Sequence, residues 1–599
     1  MDNYYFSMKY EQSLQIEEKK LKGIYYTPKN IVDFILGETL SKHDILENPE
    51  PRILDLSCGC GNFLIESFDI LYELISNNIK EIQDKFGVNY ITNVSKHIID
   101  RCIFGVDIDN NAISILKKVI KDKIESIDNK ENVLSADDIK KILDKNIICG
   151  DGLKYSVNDK FDYIVGNPPY IGHKLLDKEY KKFILKDYED VYRDKADLYF
   201  CFYKKALDLI SDKGKIGYIT PRYFLESPSA KKLRGYLFRS SKIDKIIDLR
   251  GINIFNKVGI SPAIIILSKK DEEKNVIKVY KNKDYKLNIN KIDNFYEVLQ
   301  RKSFEKISID QEDLKSNWIL MNNEDIKFYN KIESKCQYTL EEIAISFQGI
   351  ITGCDKAFVL NKDDKRKEFI DKSFLKKWIK NKNISPYIIQ ESDYELIYSN
   401  DIINIENYKY IEENCFLPYK SKLQNRRECK NGKRKWYELQ WGRDKDLFEN
   451  IKIMYPYKSA CNKFAIDYDG NFASADVYSF IIKDEFKNKF SYEYLIGLLN
   501  NEIYDKYFKL TAKELGNRIY DYYPNKVMKI KIFRDENYDE IESLSKKIIT
   551  NKMTVKKYKK THHLQDKEIT FNKEIYYLEN ESHFLENRIS KLIKKSLNL

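Results

Sequence analysis

Residues 52–62 have the sequence Arg-Ile-Leu-Asp-Leu-Ser-Cys-Gly-Cys-Gly-Asn, and this stretch decides the fold of the first half of the chain. The apolar start predicts a buried β-strand over 52–56, the glycines predict a tight turn, and the pattern that follows predicts an amphipathic helix over 63–79. Glycines in such a turn let the backbone approach a ligand, and the N-terminus of the next helix favours an anion. The turn is typical of nucleotide-binding sheets in general and does not identify the ligand.

Further apolar runs of strand length follow, and the first of them end in polar loops. We predict these strands over 102–106, 145–149, 161–165, 215–220 and 263–267. Helical stretches separate the runs, so the pattern predicts an α/β domain with a Rossmann-like, mostly parallel sheet in three layers. Because the carboxyl ends of parallel strands share one edge of a sheet, the loops that follow them should form a ligand site there.

Asp107 closes the second predicted strand, where an acidic residue can bind both hydroxyls of a ribose. A dinucleotide-binding fold places this acid about 20 residues after the glycine turn. Gly61 and Asp107 are 46 residues apart, which indicates a helical insertion around 70–100 and disfavours a nicotinamide dehydrogenase. The alternative is that Asp107 only caps the helix that follows it.

The tetrapeptide Asn167-Pro168-Pro169-Tyr170 follows the strand predicted over 161–165 and is the most informative motif in the chain. Two prolines remove two backbone donors and leave carbonyl oxygens free to accept hydrogen bonds. The side-chain oxygen of Asn167 and a neighbouring carbonyl can therefore hold one small amino group, with its lone pair facing an electrophilic methyl group. Tyr170 can stack on the ring that carries the amine, as on a base flipped out of a duplex. The alternative is that the motif is only a rigid turn.

In this order, the motifs resemble those of S-adenosylmethionine-dependent amino-methyltransferases. They are most similar to orphan DNA N6-adenine methyltransferases, which are related to restriction-associated enzymes and carry the cofactor motif first and target recognition last. Residues 23–28 resemble the motif that closes over the methionine end of the cofactor, and 195–199 and 214–221 resemble two later motifs. The turn over 55–61 departs from the family pattern at Ser57 and Cys60, which replace an alanine and a small residue.

The resemblance implies S-adenosyl-L-methionine as the cofactor, with Asp107 on the ribose and Asp151 accepting from the adenine amino group. It implies the catalytic residues Asn167, Pro168, Pro169 and Tyr170. The implied cofactor-binding residues are Tyr25, Tyr26, Thr27, Pro28, Asp55, Ser57, Cys58, Gly59, Gly61, Asp107, Ile108, Asp151, Gly152 and Asn167. We take Cys58 and Cys60 as small packing residues and predict no metal site.

From about Tyr338 the alternating α/β pattern is lost and tyrosines become frequent, which predicts a second, α+β domain. Residues 347–358 resemble the start of target-recognition domains in restriction-associated methyltransferases. The resemblance implies that double-stranded DNA is the partner, with methylation of one strand in a short, A-rich, asymmetric site. We therefore divide the chain into a catalytic domain (1–270), a connecting segment (271–337), a target-recognition domain (338–540) and a helical C-terminal segment (541–599).

The formal net charge of +11 is modest, but residues 421–460 contain 11 Lys and Arg against 5 Asp and Glu. These charges alternate with aromatic residues, as expected for a surface that pairs with phosphates and packs against bases. His173 follows the Asn-Pro-Pro-Tyr motif closely enough to approach DNA. The candidate DNA-binding residues are His173, Arg426, Arg427, Lys430, Lys433, Arg434, Trp436, Tyr437, Trp441, Arg443, Tyr455 and Lys458.

The composition excludes several other classes of protein. The 599 residues include no apolar run long enough for an ordinary transmembrane helix, and ten cysteines are too few for a disulfide scaffold. We expect a cytoplasmic, nucleoid-associated protein without an obligate protein partner. Too few residues flank the predicted domains for a fused endonuclease, and no phosphate-binding loop of a translocase is found.

Three alternatives remain at this point. Asn-Pro-Pro-Tyr motifs also occur in methyltransferases that act on RNA or on protein glutamine, but those enzymes usually lack a Tyr-rich C-terminal domain. A catalytically inactive DNA-binding protein has no physical reason to keep Asp55, Asp107 and Asp151 together with the tetrapeptide. A dehydrogenase would also need a group to position a hydride donor, and none is evident.

Overall fold

A computed structural model describes residues 3–14, 25, 27–127, 134–193, 195–252, 254, 260–271, 273–284, 287–289, 292–315, 318, 320–516, 518–561 and 568–599. The chain divides into two units, of which unit 1 ends at Asn322 and unit 2 begins at Asn323. Each unit has its own apolar core, and the core of unit 2 consists of two clusters.

The described part of unit 1 forms a nine-stranded sheet in the order β3-β2-β1-β4-β5-β7-β6-β8-β9. The strands are β1 (Ile53–Asp55), β2 (Ile103–Asp107), β3 (Ile147–Cys149), β4 (Phe161–Gly166), β5 (Ile210–Pro221), β6 (Ser241–Asp248), β7 (Pro262–Lys269), β8 (Val276–Asn282) and β9 (Phe304–Asp310). Strands β1 to β5 pair in parallel, and β7 is antiparallel to both of its neighbours. The predicted α/β class with a mostly parallel sheet is confirmed.

The segment 271–337, predicted as connecting structure, contains the last two strands of this sheet. Strand β8 pairs in parallel with β6 and antiparallel with β9. The alternation that marks a half-buried strand is present, because Ile277 and Val279 are buried while Val276 and Lys278 are exposed. The sequence analysis missed these strands because the segment is rich in lysine, and its average polarity is that of a surface loop.

Helices connect the strands of unit 1 and pack on the sheet. Their bounds are α1 (Asn3–Ser13), α2 (Lys29–Glu38), α3 (Asn62–Asn77), α4 (Ile79–Phe86), α5 (Val94–His97), α6 (Asn110–Ile127), α7 (Ala136–Asn146), α8 (Lys178–Asp187), α9 (Tyr199–Leu209), α10 (Lys231–Ser240) and α11 (Phe295–Gln300). Helix α3 packs against β1 and β2, as expected for the helix that follows the glycine turn. Helices α4 and α5 occupy the predicted insertion between the turn and Asp107.

Unit 2 is built from smaller sheets. A five-stranded sheet has the order β11-β20-β16-β18-β14, and a four-stranded sheet has the order β12-β15-β13-β19. The strands of unit 2 are β10 (Tyr338–Thr339), β11 (Ala344–Gln348), β12 (Val359–Asn361), β13 (Leu375–Ile379), β14 (Tyr387–Ile388), β15 (Tyr394–Ile397), β16 (Lys452–Pro456), β17 (Lys458–Ser459), β18 (Ala465–Asp467), β19 (Phe472–Ala473), β20 (Val477–Ile482), β21 (Glu514–Gly516), β22 (Ile519–Asp521) and β23 (Lys531–Ile532).

Unit 2 also contains helices, most of them short. They are α12 (Asn323–Lys335), α13 (Leu340–Ile343), α14 (Asp355–Phe358), α15 (Lys409–Ile411), α16 (Lys420–Gln424), α17 (Arg427–Lys430), α18 (Lys445–Glu449), α19 (Tyr492–Leu499), α20 (Glu502–Thr511), α21 (Pro524–Val527), α22 (Tyr538–Thr561) and α23 (Glu568–Leu597). In the part of the chain that the structure describes, no helix combines the length and apolarity needed to cross a membrane.

The two long C-terminal helices, α22 and α23, pack against each other and pair their charges. Lys552 lies 3.4 Å from Glu586, and Lys559 lies 2.9 Å from Glu579. Ion pairs within unit 2 therefore neutralise part of the basic run over 551–560.

Candidate active site

A cavity of about 350 Å³ opens in unit 1 at the carboxyl edge of the parallel strands. This volume lies within the range of small-molecule and cofactor sites. Twelve of the predicted cofactor-binding residues line it: Tyr25, Thr27, Asp55, Ser57, Cys58, Gly59, Gly61, Asp107, Ile108, Asp151, Gly152 and Asn167. Pro28 is buried beside the cavity without lining it, and Tyr26 lies outside the described residues.

The glycine turn is held in place by hydrogen bonds and by close packing. The Gly61 N–H donates to the Cys58 carbonyl over 2.8 Å. Gly61 has φ +89°, and a Cβ atom there would lie 2.0 Å from Leu116 Cδ1. Glycine therefore suits this position, because any other residue would strain the backbone and displace the Leu116 side chain.

Asp107 fixes the same turn from the end of β2. Its Oδ2 accepts from the Gly59 N–H and its Oδ1 from the Asp109 N–H, both over 2.8 Å. The next helix is instead capped by Asp109, whose Oδ1 accepts from the Asn111 N–H over 3.0 Å. The alternative in which Asp107 only caps the helix is therefore wrong. Each carboxylate oxygen has a second lone pair, so Asp107 can still accept from ligand hydroxyls.

Asp55 lies at the bottom of the cavity and is 2% exposed. Burial raises the pKa of its carboxyl group to about 8, and the charge of Asp107 adds to the increase, while the hydrogen bond from the Ser57 N–H opposes it. A Cβ atom on Gly166 would lie 2.6 Å from Asp55 Oδ1. The glycine before the Asn-Pro-Pro-Tyr motif thus lets this loop pass directly beside Asp55.

Asn167 lines the cavity with its amide held on both sides. Its Nδ2 donates to the Tyr25 carbonyl and to Thr27 Oγ1, each over 3.1 Å. Its Oδ1 accepts from the Tyr170 hydroxyl over 2.5 Å. These three bonds define which end of the amide is the oxygen, and one lone pair of that oxygen remains for a further donor.

Tyr170 is 6% exposed, and its ring stacks on Tyr25 with centroids 5.1 Å apart and planes 25° from parallel. A base that stacks on this face of Tyr170 must therefore take the place of Tyr25. Pro169 lines the cavity, whereas Pro168 is buried behind it. Because the two prolines have no backbone N–H, this part of the loop offers backbone acceptors without backbone donors.

Residues that the sequence analysis missed complete the cavity. Ser7, Tyr10 and Glu11 line it from α1, and Tyr10 donates to Asp109 Oδ2 over 2.9 Å. These three positions share one helix face, a spacing that could have revealed them. Tyr180 of α8 also lines the cavity and hydrogen bonds to Asp151, and burial raises the pKa of its hydroxyl. Tyr180 lies ten residues after Tyr170, and no sequence pattern around it indicates that it lines the cavity.

Among the described residues that line the cavity, none is Lys, Arg or His and six are acidic: Glu11, Asp55, Asp107, Asp109, Asp151 and Asp177. Asp55 retains its proton near neutral pH, because burial raises its pKa to about 8. Such a lining favours a ligand that carries positive charge. His173 is half-buried in a short 3₁₀ turn after the Asn-Pro-Pro-Tyr loop and does not line this cavity.

Three of the candidate DNA-binding residues of unit 2 are buried, which contradicts their prediction as surface contacts. Arg426 is 8% exposed and donates to the carbonyls of Leu423, Thr352, Trp436 and Glu438 over 2.8–3.0 Å. Tyr437 donates to the Ile403 carbonyl, and Tyr455 is fully buried beside Ser346. The polar atoms of these three side chains form hydrogen bonds within unit 2.

The other candidates remain accessible to different degrees. Arg443 is half-buried, with a hydrogen bond of 3.0 Å to Gln348 Oε1. The Lys420 ammonium lies 5.0 Å from the ring centroid of Trp436, which is also half-buried. Arg434 is half-buried as well. The exposed candidates are Arg427, Lys430, Lys433, Trp441 and Lys458.

Comparison with known proteins adds two family matches. Residues 101–255 match the Eco57I restriction-modification methylase family, and residues 376–532 match the TaqI-like C-terminal specificity domain. The second match lies inside the segment predicted to recognise the target.

Individual proteins similar to this chain are also methyltransferases of restriction-modification type. The type II methyltransferase M.BstVI of Geobacillus stearothermophilus is 26% identical over 76% of this chain and 80% of its own length. M.BanIII of Aneurinibacillus aneurinilyticus is 23% identical over 85% and 89%. The Escherichia coli restriction enzyme and methyltransferase RM.Eco57I is 27% identical over 51% of this chain, which spans only 33% of that protein.

Among solved structures, the type IIL restriction-modification enzyme MmeI, in complex with DNA, aligns with a TM-score of 0.61 at 14% identity. The alignment covers 98% of this chain and 78% of MmeI, and it supports the fold. The resemblance to restriction-associated methyltransferases is thereby confirmed. The chain is a homologue of the type II restriction-modification methyltransferases, with an Eco57I-like methylase domain first and a TaqI-like specificity domain last.

Proposed function

We propose that this chain is a site-specific DNA methyltransferase that moves the methyl group of S-adenosylmethionine to N6 of a flipped-out adenine. The proposed target is a short, A-rich, asymmetric site, methylated on one strand. The observation that carries the proposal is the fixed amide of Asn167 at the wall of the cavity, with Oδ1 and Nδ2 distinguished by their partners.

The lining residues fit the cofactor, which methyltransferases of this kind generally use. Asp107 and Asp151 would accept from the ribose hydroxyls and the adenine amino group, and the turn over 57–61 would bring backbone close to the ligand. When bound, S-adenosylmethionine supplies an electrophilic methyl group on a positively charged sulfur. The acidic lining is suited to that charge.

Asn167 Oδ1 and the Pro168 carbonyl would accept the two hydrogens of an exocyclic amino group. Both acceptors restrain the nitrogen, so that its lone pair points away from the ring plane and toward the cavity. Tyr170 would stack on the base after Tyr25 has moved aside. No general base is required in the transfer step, because the amine loses its proton afterwards, and the rate gain comes from positioning.

The specificity-domain match supports DNA as the substrate, in preference to RNA or protein glutamine. We infer that exposed cations of unit 2 bind phosphates, with Arg427, Lys430 and Lys433 as the leading candidates. His173 and Trp441 remain candidates for base contacts. An inactive DNA-binding protein is disfavoured by the cavity, whose acidic and amide groups are still in place.

The decisive experiment measures transfer of labelled methyl from S-adenosylmethionine to duplex DNA, followed by base analysis. We expect N6-methyladenine from the wild type and none from Asn167→Ala, with nearly unchanged cofactor affinity. Asn78→Ala is the matched control, because Asn78 caps the far end of α3 and its side chain donates to the Leu74 carbonyl, away from the cavity. It should retain full activity.

Other outcomes would count against the proposal. Label in RNA or protein instead of DNA would overturn the substrate. A methylated cytosine would overturn the assigned base. Tight binding of DNA without binding of S-adenosylmethionine would revive the inactive DNA-binding alternative.

A further inference from the structure

Asp197 is a buried carboxylate that the proposed chemistry does not use. It is 9% exposed, and its Oδ1 accepts no direct hydrogen bond from the described residues. The ion pairs seen in the described part of the chain include none with Asp197. A carboxylate buried without an ion pair is costly, which makes it a candidate for a functional constraint.

The backbone around Asp197 is joined to the segment that follows the Asn-Pro-Pro-Tyr loop. Gly172 and Asp197 form an antiparallel β-bridge, and the Leu198 N–H donates to the Ile171 carbonyl over 3.0 Å. Ile171 follows Tyr170 directly, so this bridge fixes the exit of the loop. Lys195, just before the bridge, has φ +63°, a strained conformation for a residue with a side chain.

The carboxylate adds contacts that the backbone bridge alone does not make. The Tyr223 hydroxyl and the N–H groups of Tyr199 and Ile171 face it and stabilise its charged form. Asp197 therefore connects three elements: the loop after β4, the start of α9 and the turn after β5.

A cluster of rings extends the same connection to Tyr170. Tyr199 packs edge-on against Tyr170 and against Tyr223, with centroids 6.1 and 5.7 Å apart. A shift of Tyr199 or Tyr223 would therefore change the packing around Tyr170. The Tyr170 hydroxyl donates to Asn167, so the orientation of Asn167 would change as well.

From this geometry we propose that Asp197 is a positioning residue, which holds the exit of the Asn-Pro-Pro-Tyr loop so that Tyr170 and Asn167 keep their orientation for methyl transfer. The proposal rests on the proposed function and assigns to Asp197 no contact with the substrate. The role favours the ionised carboxylate, because the charged form is the stronger acceptor for the N–H and O–H groups around it.

The surroundings of Asp197 make this role sensitive to pH. Burial raises the pKa of Asp197 to about 6, while the hydrogen bond from Tyr223 and those from the backbone lower it. The titratable groups that face it are Tyr25, Tyr170, Tyr199, Cys201 and Tyr223. Burial raises the pKa of each of these groups, so all are neutral near pH 6. As the pH falls through about 6, Asp197 becomes protonated and the loop should loosen.

The test compares Asp197→Ala and Asp197→Asn with the wild type and with Asp190→Asn. Asp190 is a matched control, because its side chain is 57% exposed, lies close by in sequence and pairs only loosely with Lys204 at 3.6 Å. The first measurement is hydrogen exchange of the backbone over 167–173, and the second is single-turnover methyl transfer at saturating S-adenosylmethionine between about pH 5 and pH 8.

We expect Asp197→Ala to speed exchange over 167–173 and to lower the transfer rate by about 10²-fold, the loss typical of a small misplacement of reacting groups. Cofactor affinity should stay within about twofold, because Asp197 does not line the cavity. Asp197→Asn keeps an acceptor and should lose less activity. Its rate should no longer fall as the pH drops through about 6.

Three results would overturn the proposal. Unchanged exchange over 167–173 in Asp197→Ala would show that the carboxylate does not hold the loop. Faster exchange throughout unit 1, including β1 and α9, would indicate a purely structural role. A rate decrease near pH 6 that persists in Asp197→Asn would assign the titration to another group. If the wild type methylates no DNA, the proposed function fails, and the exchange measurement still decides the role of Asp197.

Discussion

The hydroxyl of Tyr170 donates a 2.5 Å hydrogen bond to Oδ1 of Asn167, the atom proposed to accept from the target amino group. Tyr170 thus contributes a polar contact in addition to a ring that can stack. An amide oxygen accepts two hydrogen bonds, so the Tyr170 hydroxyl orients the oxygen without using it up. The two functions of Tyr170 can be separated by mutation.

We predict that Tyr170→Phe keeps the ring and loses about tenfold or less in single-turnover transfer, the equivalent of one hydrogen bond. Tyr170→Ala removes ring and hydroxyl and should lose far more activity. It should also destabilise unit 1 by about 3–5 kcal/mol, because it empties a buried site. Rates and thermal unfolding of both variants check the prediction. Equal activity of Tyr170→Phe and wild type would mean that Tyr25 and Thr27 orient Asn167 without help.

Asp55 should make unit 1 less stable as the pH rises. The pKa of its carboxyl group is about 8 in the folded chain, mainly because of burial, and ordinarily about 4. Between these values the unfolded chain releases a proton that the folded chain retains, so the free energy of unfolding falls as the pH increases.

We therefore predict that Asp55→Asn raises the melting temperature near neutral pH. It should also reduce the loss of stability between about pH 5 and pH 8, because asparagine carries no charge and still accepts from Ser57. Thermal unfolding at several pH values tests this prediction. Asp84→Asn, on an exposed face of α4, is the control and should leave the pH dependence unchanged. An identical pH dependence in Asp55→Asn and wild type would show that Asp55 is ionised in the folded protein.

The sequence predicted much of unit 1 because its signals are local. The strand over 52–56, the glycine turn and the helix over 63–79 correspond to β1, the turn at Gly61 and α3. Each of these follows from periodicity and from backbone freedom within about 25 neighbouring residues. The loops at the carboxyl edge then had to meet, because parallel strands share that edge, and Asp55, Asp107 and Asn167 do line one cavity.

The remaining parts of the site depend on contacts between distant segments. The spacing of Ser7, Tyr10 and Glu11 places them on one helix face, but no local signal indicates that Tyr10 reaches Asp109 or that Tyr180 reaches Asp151. Basic and aromatic composition likewise predicted a DNA surface in unit 2 without showing which side chains face outward. Arg426 has the same local setting as Arg427, and only tertiary packing buries one and exposes the other.

The contrast between these two arginines leads to a further prediction. Arg427→Ala, Lys430→Ala and Lys433→Ala should weaken DNA binding without a change in melting temperature. Each lost phosphate contact should lower the slope of log affinity against log salt concentration by about 0.9. Arg426→Ala should instead destabilise unit 2 by about 2 kcal/mol or more, because four carbonyls each lose a hydrogen bond from the guanidinium.

Binding isotherms at several salt concentrations, together with thermal unfolding, distinguish these outcomes. Lys546→Ala provides the control, because Lys546 is an exposed cation of α22 that pairs with Glu542 at 2.8 Å. It should change neither the salt dependence nor the melting temperature. A full salt dependence in all three exposed variants would place the DNA-binding surface elsewhere.

One lysine of the basic stretch 421–460 is an internal group. Lys452 is fully buried in β16, opposite Asp467 in β18, and their charged atoms lie 2.5 Å apart. Asn471 donates to the same carboxylate through its N–H over 2.8 Å and through its side chain over 2.5 Å. The pair joins two strands of the five-stranded sheet and is shielded from solvent.

We predict that Asp467→Asn or Lys452→Met alone destabilises unit 2 by about 3–5 kcal/mol, because each leaves one buried charge without its partner. The double variant Lys452→Met/Asp467→Asn removes both charges and should recover part of that loss. Denaturant unfolding of the four proteins gives the coupling energy. Lys487→Met, which breaks an exposed pair with Asp484, should show no measurable loss. If each single variant were as stable as the wild type, water would have to reach the pair, and Lys452 would again count as part of the charged surface of unit 2.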